Sequence, residues 1–166
     1  MLSVINIWPI FKRHFETLKE DVTTKGIILF FIIIPFLISL LLTYFGFLIT
    51  SNILNSLIAT FSILTGFNIN ILVLLIGTKK MKTDIENKLI KHLSCNILYE
   101  LIVGLLILTI SVVLSIILQK ITNIVLYFST LAIYFMVFNF LLTLLMISKR
   151  IYALLYMKLK DRYVIK

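Results

Sequence analysis

Charge is scarce in this chain, and so are the residues from which catalytic centres are built. Only 14% of its 166 residues are charged, seven of them acidic, and there are one cysteine, two histidines, two prolines and five glycines. A single cysteine, Cys95, excludes an internal disulfide. It reads as a small residue at a helix end, with a lipidated or redox-active thiol as the alternative. His14 and His92 stand at no metal-ligand spacing from Cys, Asp or Glu, and solvated helix positions are expected for both. The glycines are isolated, so no phosphate-cradling loop exists, and no C-x-x-C, H-E-x-x-H or G-x-S-x-G pattern appears. These absences predict a protein that is not an enzyme and carries no cofactor, metal or catalytic residue.

Apolar side chains fill the space that charge leaves. Hydrophobic residues make up 61% of the chain and the mean hydropathy is +1.12. Soluble domains are about half apolar and a quarter charged, and a soluble globe of this size cannot hide the excess. Disorder, collagen and coiled coil need polar or repetitive compositions. An all-α integral membrane protein remains.

No charged residue occurs from Gly26 to Thr78, and from Leu101 to Ser148 the only one is Lys120. A charge in the bilayer core costs several kcal/mol, so both blocks belong in lipid. Each is about twice the roughly 20 residues that one crossing helix needs. Each should therefore fold back once, at Thr50-Ser51-Asn52 and near Gln119–Asn123, where Ser, Thr and Asn can cap the next helix. The expected fold is four transmembrane helices as two hairpins, with spans at about 26–49, 53–77, 97–118 and 124–147. A segment 1–25 precedes them, a loop 78–96 divides them, and a basic tail 148–166 follows.

The net charge is +9, and every Lys and Arg except Lys120 falls in the first 25 residues, the central loop or the tail. The positive-inside rule puts those three pieces, and with them both termini, on the cytoplasmic side of the membrane. The basic excess is thereby explained without direct nucleic-acid binding. The first apolar run is too long for the core of a cleavable signal, so it is expected to stay in the membrane.

Segment 1–25 has its own pattern. Trp8, Phe11, Phe15 and Leu18 recur at steps of three and four, with Lys12, Arg13, Glu16 and Lys19 between them. That describes an amphipathic helix, with Pro9 in its first turn. Trp8, Phe11, Lys12, Arg13 and Phe15 suit an interfacial anchor lying on the lipid. The alternative is a face that docks on a partner protein or on the protein's own loop. In the central loop, Thr83-Asp84-Ile85-Glu86 has capping-box spacing, Met81, Ile85, Leu89 and Leu93 form a stripe, and Asp84 can pair with Lys88. The tail repeats the theme with Ile151, Leu154, Leu155 and Leu159.

Polar residues mark one face in each inner span. Ala59, Ser62, Gly66, Asn70, Val73 and Gly77 share a face of the second span, and Asn96, Glu100, Gly104, Ser111 and Ser115 a face of the third. Both faces are expected at the centre of the bundle, and the nearly apolar first span, kinked at Pro35, is expected to be the most lipid-exposed. Two readings stand for these residues. One is helix-to-helix bonding, worth about 0.6 kcal/mol per hydrogen bond. The other is a water-filled path between protomers, involving Asn68, Asn70, Asn139 and the hydroxyls. Glu100, the one acidic residue within a span, either reaches the interface and pairs with Lys91 or a neighbouring cation, or serves as a proton- or ion-sensing carboxylate.

The run Trp8-Pro9-Ile10-Phe11-Lys12-Arg13-His14-Phe15-Glu16-Thr17-Leu18, Pro35, and Asn96-Ile97-Leu98-Tyr99 resemble features of a group of small bacterial four-span membrane proteins associated with anti-phage defence systems. The likeness covers most of the chain as a pattern of spans, and no functional residue is carried over from it. It implies an effector or sensor subunit of a defence or stress system in the lipid bilayer of a bacterial plasma (inner) membrane, expected to form homo-oligomers and either to perturb that membrane or to relay a signal to a cytosolic protein partner. The competing expectations are a non-conducting anchor or bacteriocin-immunity-type protein and, third, a phage-type holin.

Overall fold

The computed structural model describes residues 6–21, 23–77 and 84–164, and among them there is no strand. Six α-helices follow one another: α1 Trp8–Asp21, α2 Thr24–Ile28, α3 Ile34–Tyr44, α4 Ser51–Ile76, α5 Asp84–Ile117 and α6 Asn123–Val164. A π-turn, Leu29–Ile33, welds α2 to α3. The stretches Thr24–Tyr44, Ser51–Ile76, Asp84–Ile117 and Asn123–Met157 are each long and apolar enough to cross a membrane.

The helix ends have local causes. Thr23 caps α2 by accepting from the Gly26 amide, and Thr50 caps α4 by accepting from the Ile53 amide. The first crossing stops at Tyr44, earlier than the expected Ile49, because Gly46 takes a left-handed conformation at φ 82°. The Phe47 amide then folds back to the Leu42 carbonyl, closing the helix end. No breaker interrupts residues 84–117, so the expected connector helix and third span are one helix. The tail likewise continues the fourth span. At 42 residues α6 is roughly 63 Å long, about twice the hydrocarbon thickness. The expected N-cap Thr83, and Met81 with it, lie outside the described residues.

Two apolar clusters lie towards different ends of the helices. One end is closed by Ile49, Leu54, Leu114 and Ile133, and Leu118 and Ile121, which flank Lys120, pack against them. The other gathers Leu93, Ile97, Ile147 and Leu154. Nearby, α1 meets the start of α5 through Glu20 and Lys88, and the later part of α6 through Thr17 and Arg150, so described basic residues of all three segments share an end. Phe61, Tyr99, Val103, Ile107 and Phe140 fill the middle. A Cβ on Gly104 would come within 3.0 Å of Thr65 Oγ1 and 3.2 Å of Phe140 Cε2. The lack of a side chain there lets α4 and α6 close on α5.

Neighbours in sequence are not all neighbours in space. α4 packs on α5, α5 on α6, and α3 on α6, while among the described residues α3 and α4 form no packed pair. The first short turn thus joins two helices that rest on different partners.

Pro35 explains how α3 is held. A proline has no amide hydrogen to give to the carbonyl four residues back, which here belongs to Phe31. The π-turn just ahead of Pro35 absorbs the misfit. Asn139 of α6 donates its Nδ2 hydrogen to the Phe31 oxygen at 2.6 Å. Asn139→Leu is expected to weaken the α3–α6 contact by about 0.6–1.7 kcal/mol, the usual range for a bond between membrane helices. A steric-trap unfolding measurement in bicelles reads this directly, and an unchanged value would assign the bond no role.

Candidate functional site

The best-defined polar arrangement lies at the basic end, where α1 enters the bundle. Ile10, Phe11, His14, Thr17 and Leu18 face inward, and Leu18 is 1% exposed. Phe11 and Leu18 belong to the expected stripe, Ile10, His14 and Thr17 widen it on one side, and the aromatic that drops out is Trp8, which is 72% exposed. Phe11 and Phe15 are half-buried, while Lys12 and Arg13 point outward.

His14 is fully buried, contrary to the solvated position expected of it. It replaces an apolar residue on the inward face because its ring stacks on Tyr99, with centroids 3.8 Å apart and planes 2° from parallel. Phe11 meets the same Tyr99 edge-on at 5.2 Å. The His14 Nδ1 lies 3.0 Å from Asn96 Oδ1, which also accepts from the Thr17 hydroxyl at 2.8 Å. From α6, Arg150 donates Nη2 to the Thr17 carbonyl at 3.0 Å. Its charge stands near the C-terminal turn of α1, where the helix dipole favours a cation. Three helices are therefore tied through two residues of α1.

Burial pushes the His14 pKa down to about 4, and the Arg150 charge adds to the fall against the opposing bond from Asn96. At neutral pH the imidazole is uncharged, as a buried ring stacked on tyrosine requires. At the rim, Glu20 of α1 pairs with Lys88 of α5 at 2.7 Å and lies 3.7 Å from His92 Nε2. The bond from Lys88 holds the Glu20 carboxyl below the usual range. Lys88 thus pairs with Glu20 rather than with the expected Asp84. His92 is half-buried in α5 beside this pair, not a solvated loop residue.

The polar face of α5 continues inward from Asn96 to Glu100, Gly104 and Ser111, all buried, as expected for the third span. Glu100 is fully buried and does not pair with Lys91 at the interface; Asn68 approaches it from α4. Among the described residues neither Glu100 oxygen completes a hydrogen bond. Ser115, one turn beyond Ser111, is exposed and returns its hydroxyl to the Val112 carbonyl at 2.8 Å.

For the second span the expected face is reversed. Ala59, Ser62, Gly66, Asn70, Val73 and Gly77 all point away from the bundle, and the inward side carries Leu54, Phe61, Thr65 and Asn68. Ser62 satisfies itself on the Ile58 carbonyl at 2.7 Å, and Gly66 faces open space. Large residues turned inward because Phe61 interlocks with Phe140, centroids 4.8 Å apart, over Gly104. α4, not the first span, is consequently the least covered crossing helix. Asn68 and Asn139 are inside the bundle.

Sequence reasoning missed His14, Thr17, Tyr99 and Arg150. A signal existed for two of them. His14 lies three residues after Phe11 and four before Leu18, and Thr17 three after His14, so both fall on the apolar stripe.

Fold and site together define an all-helical, multi-pass membrane protein whose N-terminal helix is bound into the basic end of its own bundle. No protein-family model, curated protein or solved structure matches the chain.

Proposed function

We propose that this chain is an oligomeric membrane relay of the bacterial inner membrane, with its basic end in the cytoplasm and α1 as the element that a cytosolic signal or partner moves. The observation that carries this reading is the attachment of α1. Lipid alone would hold an amphipathic helix by its apolar face. Here directional bonds from Asn96 and Arg150 fix it to α5 and α6, with a neutral histidine at the centre. Such a contact has a defined bound state and can be released by a competing ligand or by a proton.

The setting, a stress or anti-phage response, rests on the resemblance to small bacterial four-span proteins. Trp8, Lys12 and Arg13 point outward and provide the side of α1 that meets the leaflet surface. The outward face of α4, with Ser62, Gly66 and Asn70, supports self-association, because an amide facing lipid gains by bonding to a second copy. Gly66→Leu is expected to reduce cross-linked oligomers in membranes.

Deleting residues 1–20 tests the relay. Cells expressing the shortened chain are expected to lose membrane potential, read with a potential-sensitive dye, while cells expressing the whole chain stay polarised. A specific observation favours a second reading, a non-conducting anchor for a cytosolic partner: within one protomer the end opposite α1 is closed by Ile49, Leu54, Leu114 and Ile133. Normal potential together with loss of a membrane-recruited partner would replace the relay by the anchor.

A further inference from the structure

A cleft of about 280 Å³ opens at the basic end between α1, α5 and α6. Lys88, His92, Lys149 and Arg150 line it, against a single carboxylate, Glu20. Its remaining walls are apolar, from Leu89 and Ala153 among others. Lys149 is exposed, and among the described residues no carboxylate pairs with it. Lys88 remains 61% exposed while paired with Glu20.

We infer that this cleft binds the phosphate of an anionic phospholipid, with Lys149 and Lys88 as its charge partners and the glycerol end against Leu89 and Ala153. Three points lead to a lipid rather than a soluble phosphate compound. The cleft lies where Lys149 and Arg150 follow directly on the apolar run of the fourth crossing. It combines cations with apolar walls, which a headgroup and the start of its chains both require. Basic pockets between crossing helices are a general site for anionic headgroups. The one acidic group, Glu20, belongs to α1, so a bound phosphate competes with Glu20 for Lys88. This lipid site does not depend on the relay reading, although it would give that relay a ligand.

The test uses the full chain in phosphatidylcholine nanodiscs with increasing phosphatidylglycerol. Spin-labelled lipids report the preference for phosphatidylglycerol over phosphatidylcholine. Neutralising both lysines, Lys88→Gln with Lys149→Gln, is expected to lower that preference roughly fivefold per lysine. Glu20→Gln is expected to raise it, because the competing carboxylate is gone. Lys25→Gln with Lys91→Gln, both exposed and outside the cleft lining, should leave most of it intact. An equal loss in that control would show diffuse surface attraction and overturn the cleft. So would absence of any preference in the unaltered protein, or a weaker preference in Glu20→Gln. Full displacement by inorganic phosphate at matched concentration would overturn the lipid as ligand. An unchanged thermal unfolding profile in the lysine variants separates lost binding from lost fold.

Discussion

Acidification from pH 6.5 towards 4 is expected to detach α1 from the bundle, with a loss of about 3 kcal/mol in docking free energy. His14 takes up a proton near 6.5 when solvated, but only near 4 in its buried place. Between these values the detached state binds more protons than the docked one, so the docked state loses ground as pH falls. Docking is at full strength above 6.5, weakens down to about 4, and levels off once both states are protonated. Hydrogen exchange of residues 8–21 in nanodiscs, measured across this range, reads the detachment. The Glu20–Lys88 pair acts in the same direction at the acid end, since protonating Glu20 removes it. His14→Phe separates the two. It keeps an aromatic ring against Tyr99 and removes the titrating group, so its profile should be nearly flat between 6.5 and 4. A wild-type profile equally flat, or a slope that survives in His14→Phe, would remove histidine from the account.

Arg150→Met should be the most damaging single change at the α1 contact. A hydrogen bond to a charged group contributes about 1.5–3 kcal/mol, and Arg150 is 5% exposed, so water cannot readily replace it. Methionine retains much of the apolar stem and removes the guanidinium. Exchange in α1 is then expected to rise at pH 7 by roughly one to two orders of magnitude. A second effect identifies the cause. Arg150 is one of the groups that lowers the His14 pKa, so its loss should move the acid transition upward, towards 6.5. Faster exchange without that shift would mean that Arg150 acts only by packing.

The two effects share a physical basis. Apolar burial is a weak guide to helix association at a membrane boundary, because lipid tails are as apolar as leucine. Directional bonds and shape then decide which helices touch. The α1 contact depends on both: Leu18 fills space, His14 and Tyr99 match faces, and Asn96 and Arg150 fix the register.

Composition and charge placement by themselves determined the class of molecule, the number of crossing helices and the polar face of the third span. Two uncharged blocks permit little else where water is absent, and Asn96, Glu100, Gly104 and Ser111 keep helical spacing on a face that proved buried. Only the tertiary structure decided which side of α4 turned inward and where α1 went. In lipid a helix gains almost nothing by hiding one apolar face rather than another, so small and polar residues do not by themselves reveal the buried side. The interlock of Phe61 and Phe140 over Gly104 made that choice for α4. For α1 it was made by partners 79 and 133 residues away from Thr17, Asn96 and Arg150, whose meeting no local spacing encodes.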